Sequence, residues 1–251
     1  MTLIESLILG LIQGITEFFP ISSSAHLILL RPVLGFGDPD LWFDVWLHGG
    51  TWLAVTIYLI PRFRLLFQKP LLLVWVLLAT IPAGVIGILF EGVMEDILRT
   101  DYFLIGSILL SVGIVFLFVR QRGDISLEKL GLREAVIIGC AQALALVPGV
   151  SRSGITLLAA LGVGMLRKDA VIFSYFLSVT TIGGAFFKGL LELGGDIPAA
   201  DILWPGFIVS FVSGFFACVY LLRIVQSKNL HPFGIYRIIF AASVMVFLLI
   251  R

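Results

Sequence analysis

Apolar stretches of roughly 20 residues recur along this chain, each long enough to cross a bilayer core as a helix. No other feature restricts the fold as much. Hydrocarbon offers no partner to backbone N–H and C=O groups, and a helix pairs them internally. The pattern therefore predicts an all-α polytopic membrane protein, with spans near 41–60, 70–90, 102–120, 170–191, 203–223 and 234–250. Composition agrees: 13% of the 251 residues are charged, where a soluble domain carries roughly a quarter. A net charge of +1 gives no sign of nucleic acid or another polyanion as partner. No Lys or Arg precedes Arg31, so residues 1–30 are expected to belong to the mature structure and not to a signal peptide. Cys140 and Cys218 lack metal-ligand spacing and read as small core residues.

Two further apolar segments, 3–33 and 134–165, are each interrupted near the middle by proline and a serine cluster. Arms of roughly 10 to 17 residues, at about 1.5 Å rise each, suit re-entrant hairpins better than full spans. The two segments also match one another. Gly10, Gln13, Pro20 and Ser22 recur as Gly139, Gln142, Pro148 and Ser151, at an offset of 128 or 129. Each half, about 1–120 and 133–251, then holds one broken hairpin and three spans, joined by a polar linker at 121–132. Three is odd, so the second copy is expected upside down, an inverted-topology repeat within a single membrane domain. Such repeats place their site where the broken segments meet.

Charge supports this count. The loops at 61–69, 120–133, 166–169 and 223–237 hold 12 of the 17 Lys and Arg. The alternate loops, 91–101 and 192–202, hold Arg99 alone among cations, against seven acids. Basic loops face the cytoplasm. The first hairpin is then expected to enter from outside, the second from the cytoplasm, with both chain ends outside.

The breaks carry the chemistry. Gln13 and Glu17, four apart, share a helix face. Ser22, Ser23, Ser24 and His26 follow Pro20, with the serines placed to cap a new helix. Serine caps alone would be structural, but a carboxylate inside the membrane is expensive and marks function. The second break, "VPGVSRSGIT", supplies Arg152 among Ser151, Ser153 and Thr156, with Gly149 and Gly154 allowing close backbone approach. Paired with Glu17, Arg152 would be a structural ion bridge. Beside two hydroxyl-rich helix starts it describes an anion site for phosphate or pyrophosphate.

The pair "QGITEFFPISSSAH" and "PGVSRSGIT" resembles the undecaprenyl-diphosphatase family of bacterial membranes, the bacitracin-resistance phosphatases. "FDVWLHGGT" (43–51) and "IPAGVIG" (81–87) extend the resemblance over essentially the whole chain. It implies hydrolysis of a C55 isoprenyl diphosphate to the monophosphate lipid carrier on the outer face of the bacterial inner membrane, with a divalent cation, Mg²⁺ or Ca²⁺. Glu17, Ser23, His26 and Arg152 match the family's functional positions. Gln13 stands where the family often has Glu, and a neutral amide cannot bind metal as a carboxylate does. The expected mechanism has Arg152 and the backbone after Pro148 holding the diphosphate. Ser23 is the preferred nucleophile, with His26 as the alternative; Glu17 or His26 takes the Ser23 proton, and the other serves as acid or orients Mg²⁺ between phosphate oxygens. Asp44 and His48, four apart, are either a second shell or an interfacial helix start.

Two rivals share parts of the pattern. Phosphatidate-phosphatase-type enzymes need a second His after their Ser-Arg pair, and 153–230 contains none. A carrier that flips polyprenyl phosphate lipids would use the same inverted frame, but would not need a nucleophile beside a base. Gly183, Gly184, Gly206 and Gly214 permit close helix packing, within the chain or between the copies of a homodimer.

Overall fold

The computed structural model describes residues 1–37, 41–90, 101–119, 123–192, 199–227 and 229–250. Among these residues the regular structure is helical, apart from one isolated bridge between Ile125 and Met165. In chain order the α-helices are α1 (Leu3–Phe18), α2 (Ser23–Leu34), α3 (Leu41–Gln68), α4 (Pro70–Leu89) and α5 (Tyr102–Phe118). They continue with α6 (Leu132–Ala143), α7 (Arg152–Gly162), α8 (Arg167–Glu192), α9 (Ala200–Ser227) and α10 (His231–Ile250). Four described helices are long and apolar enough to cross a membrane: α4, α8, 200–226 of α9, and α10. Side chains such as Leu71, Leu77, Ile81, Ile208 and Ile239 point outward. That is expected of a surface that meets lipid.

Both interrupted segments are broken where the sequence predicts. A capping box opens α1, with Glu5 N–H donating to Thr2 Oγ1 at 3.3 Å and Thr2 N–H to Glu5 Oε2 at 2.7 Å. The helix stops two residues before Pro20, whose ring disfavours helical backbone before it. The second segment leaves α6 through a short 3₁₀ turn (Leu144–Leu146), passes Pro148 and restarts at Arg152.

The first arms of the two broken segments pack across the halves. α1 lies on α9, and α6 lies on α4. Each contact depends on a glycine too close to its neighbour for a side chain. A Cβ on Gly10 would fall 2.6 Å from the Gly206 carbonyl oxygen, and one on Gly139 would fall 2.6 Å from the Ala79 Cα. With no hydrophobic drive between helices in lipid, such close van der Waals packing supplies the attraction. Gly183, Gly206 and Gly214 all meet neighbours of the same chain: Trp52, Phe43 and Phe18.

Three expectations need correction. Cys140 is exposed on α6 and is not a core residue, whereas Cys218 is buried. The loop expected at 223–237 is shorter, since α10 begins at residue 231 and not near 234. Arg237, counted among the loop cations, lies inside α10 with none of its surface exposed. The linker is also more than a tether. Ile125 N–H donates to the Gly164 carbonyl at 3.0 Å, Leu127 N–H donates to Asp169 at 3.0 Å, and Leu127 and Leu130 are buried. The acidic loop 91–100, most of 192–198, and the cations Arg99, Arg120, Arg122 and Lys228 lie outside the described residues.

Candidate active site

α2 and α7 begin alike. Their N-cap residues, Ser22 (φ 72, ψ 94) and Ser151 (φ 76, ψ 114), are the only non-glycine residues with positive φ among those described. Each hydroxyl caps its helix by accepting an N–H three residues on, Ala25 at 3.4 Å and Gly154 at 3.1 Å. Each also contacts the serine two residues on, Ser24 at 3.3 Å and Ser153 at 3.2 Å. Positive φ is unfavourable for serine and persists where the surroundings over-determine it. The same strained turn therefore occurs once in each half.

The two turns meet. Ser153 Oγ donates to the Phe19 carbonyl at 3.0 Å, and Arg152 Nη2 donates to Glu17 Oε1 at 2.8 Å. The other Glu17 oxygen accepts from Ser23 Oγ at 2.6 Å and Gln13 Nε2 at 3.0 Å. Glu17 is 7% exposed, so these donors replace the water that its charge would otherwise need. Ser23 is half-buried. Its O–H already points at a base, the arrangement that activates a hydroxyl nucleophile.

Arg152 is held from behind by residues that the sequence did not single out. Its Nη1 donates to Ser178 Oγ, which in turn donates to the Ser174 carbonyl at 2.8 Å. Thr156 Oγ1 lies 2.7 Å from Ser174 Oγ and 2.8 Å from the Arg152 carbonyl. Ser174 and Ser178, four apart on the buried face of α8, were visible only as ordinary polar positions in an apolar span. The Arg152 Nε–H is buried and without a protein partner. A buried cation with a spare donor beside a helix start suits an incoming phosphate.

The two histidines are placed differently. His26 Nδ1–H donates to the Ser22 carbonyl at 2.7 Å, so its Nε2 accepts from Tyr236 at 2.8 Å. Its ring stacks on Phe240 at 4.1 Å. It bonds neither Glu17 nor Ser23 and instead holds the Ser22 turn. His48 lies across from the carboxylate, with Nε2 3.9 Å from Glu17 Oε2. Its Nδ1–H donates to the Asp44 carbonyl at 2.7 Å, while the Asp44 side chain pairs with Arg31 at 2.6 Å. Asp44 and His48 thus stand behind Glu17 as a second layer. Gly149, with φ +98, lies beside the strained turn, and the Ser24 hydroxyl bonds the Ser22 hydroxyl.

For a divalent cation, the described residues contain no group of three or more His, Cys, Asp or Glu. They do hold one carboxylate and, beside it, the buried Gln13 Oε1 without a partner. Hard cations accept amide oxygens, and Mg²⁺ commonly uses one or two protein ligands plus substrate phosphates. The donor set fits a cation shared with substrate.

Residues 6–243 match the bacitracin resistance protein BacA family. Proteins named undecaprenyl-diphosphatase from Geobacter sulfurreducens and Trichlorobacter lovleyi are similar along their whole length. The first is 37% identical, covering 100% of both chains. The second is 40% identical, covering 99% of this chain and 98% of the relative. A relative from Pseudoalteromonas translucida, named undecaprenyl-diphosphatase 1, is 36% identical over 99% of each chain. With its paired breaks inside the matched region, this multi-pass membrane protein belongs to the bacitracin resistance protein BacA family.

Proposed function

We propose that this chain is an undecaprenyl-diphosphatase, which hydrolyses the C55 isoprenyl diphosphate to the lipid monophosphate and inorganic phosphate. Full-length similarity to enzymes of that name supports the activity. The observation that carries the chemistry is Glu17, bonded on one oxygen to Ser23 and on the other to Arg152.

The substrate's terminal phosphoryl group sits between Ser23 and Arg152, with Arg152 Nε and the first-turn N–H groups of α7 on its oxygens. Ser23 Oγ attacks the phosphorus as its proton passes to Glu17. The bond to the bridging oxygen breaks, and the lipid monophosphate leaves with that electron pair and takes the proton from Glu17, which returns to a carboxylate. Water then attacks the phosphorus as Glu17 takes its proton, the bond to Ser23 Oγ breaks, Ser23 recovers its proton from Glu17, and phosphate is released. Arg152 stabilises charge on the transferring group. Glu17 and Gln13 Oε1 would hold Mg²⁺ or Ca²⁺, which neutralises phosphate charge when bound. His26 fixes the Ser22 turn, and His48 supplies a polar contact behind Glu17.

Six spanning helices and two re-entrant hairpins carry the site in inverted repeats of about 1–120 and 133–251. The mirrored turns at Ser22 and Ser151 support this, as does the crossed packing of α1 on α9 and α6 on α4. Charge asymmetry favours a site facing the outer side of the bacterial inner membrane. A carrier would need no hydroxyl on a carboxylate, so the Ser23–Glu17 bond favours hydrolysis. Phosphate release from a polyprenyl diphosphate in detergent tests the proposal. Lipid binding that depends on Arg152, without release by folded wild type, would make the protein a carrier.

A further inference from the structure

Arg237 has no exposed surface and lies in the second turn of an apolar helix. Ionised side chains at such positions are costly, and no carboxylate among the described residues pairs with it. Its partners are backbone carbonyls. Nε donates to Leu109 at 3.3 Å, Nη1 to Pro20 at 3.1 Å, and Nη2 to Val150 at 3.2 Å and to Gly149. The guanidinium carbon stands 5.6 Å from the centre of the Phe116 ring. Three of the four carbonyls thus belong to the two breaks, one to the first and two to the second.

We infer that Arg237 is a positioning residue for phosphoryl transfer: one planar guanidinium holds both breaks and fixes the strained serine turns that open α2 and α7. This rests on the phosphatase proposal above. Pro20 lies two residues before Ser22, and Val150 immediately precedes Ser151. Peptide planarity points an N–H opposite to its preceding carbonyl. Turning the Val150 carbonyl toward Arg237 therefore turns the Ser151 N–H away from it and sets the direction of the α7 start. The same cation anchors the approach to Ser22, so the halves that supply Ser23 and Arg152 keep a fixed separation. A lysine offers a point charge without the rigid fork that reaches both loops.

The test is phosphate release from a polyprenyl diphosphate against substrate concentration, alongside thermal melting in detergent. Wild type, Arg237→Lys, Ser151→Gly and the double variant are compared. Misplacement of reacting groups by about 1 Å costs on the order of a hundredfold. Arg237→Lys is therefore expected to lower kcat at least about tenfold with KM little changed. Glycine adopts positive φ freely, so the fold loss from Arg237→Lys should be smaller in the Ser151→Gly background. Equal fold losses in both backgrounds, or wild-type kinetics for Arg237→Lys, overturn the inference while leaving the phosphatase intact. Wild type that releases no phosphate overturns both. If Arg237→Lys does not yield folded protein, Phe116→Leu decides, since it removes the ring and keeps the donors. A kcat loss relieved by Ser151→Gly supports the clamp, and an unchanged kcat or an unrelieved loss overturns it.

Discussion

Arg152 and Glu17, 135 residues apart in the chain, meet at 2.8 Å inside the protein. Each comes from a different broken segment, so the contact exists only when the two halves are docked. It also links Ser23 to Arg152 through one carboxylate, so changes to the pair are expected to affect both activity and stability.

Replacing Glu17 by Gln keeps the shape and removes the base. General-base catalysis contributes about 10²- to 10⁴-fold, and kcat for phosphate release should fall within that range. The melting temperature should fall too, because Arg152 loses its counter-charge in a buried setting. A variant with wild-type kcat would remove Glu17 from the mechanism.

Arg152→Lys is not conservative here. The guanidinium bonds Glu17 with one terminal nitrogen and Ser178 with the other, a fork that an ammonium cannot reproduce. Loss of a preorganised donor to the transferring group costs about 10²- to 10³-fold in kcat. Ser178→Ala should show a milder loss in the same assay, since it frees one arm of the fork without removing charge.

Ser151→Ala should destabilise the protein by about 0.5–2 kcal/mol through loss of the N-cap, with an additional cost because alanine tolerates positive φ as poorly as serine. Ser151→Gly should cost only about a few tenths of a kcal/mol. Paired melting curves of the two variants in detergent compare cap against backbone strain. Alanine more stable than glycine would show that the turn at Ser151 relaxes in the folded protein.

Chelation of divalent cations should suppress phosphate release, and added Mg²⁺ or Ca²⁺ should restore it. The Gln13→Glu variant supplies a second carboxylate where the unpartnered amide oxygen now lies. It should therefore need less metal for half-maximal activity. An unchanged metal requirement would place the cation elsewhere.

Much of the architecture was legible along the chain. Pro20, Pro148 and the serines after each mark helix breaks because ring sterics and hydroxyl caps act within a few residues. The lengths of the apolar runs mark spans because bilayer thickness is fixed. Gln13 and Glu17 share a helix face through helical spacing alone, and the repeat offset pairs Ser22 with Ser151 from the sequence alone. Which side chains meet across helices was not legible. The sequence groups His26 with Glu17 and leaves His48 as a second shell or an interfacial helix start, yet the rotation of α2 turns His26 onto Tyr236 and that of α3 brings His48 to the carboxylate. Ser174 and Ser178 read as unremarkable until α8 lay behind Arg152. Arg237 reads as a loop cation because its position follows a polar stretch, and only docking of α10 against both breaks reveals its carbonyl partners. Local periodicity and chemistry act over a turn or two of helix. The rotation and depth of one helix against another are decided by packing among residues that lie up to 217 positions apart.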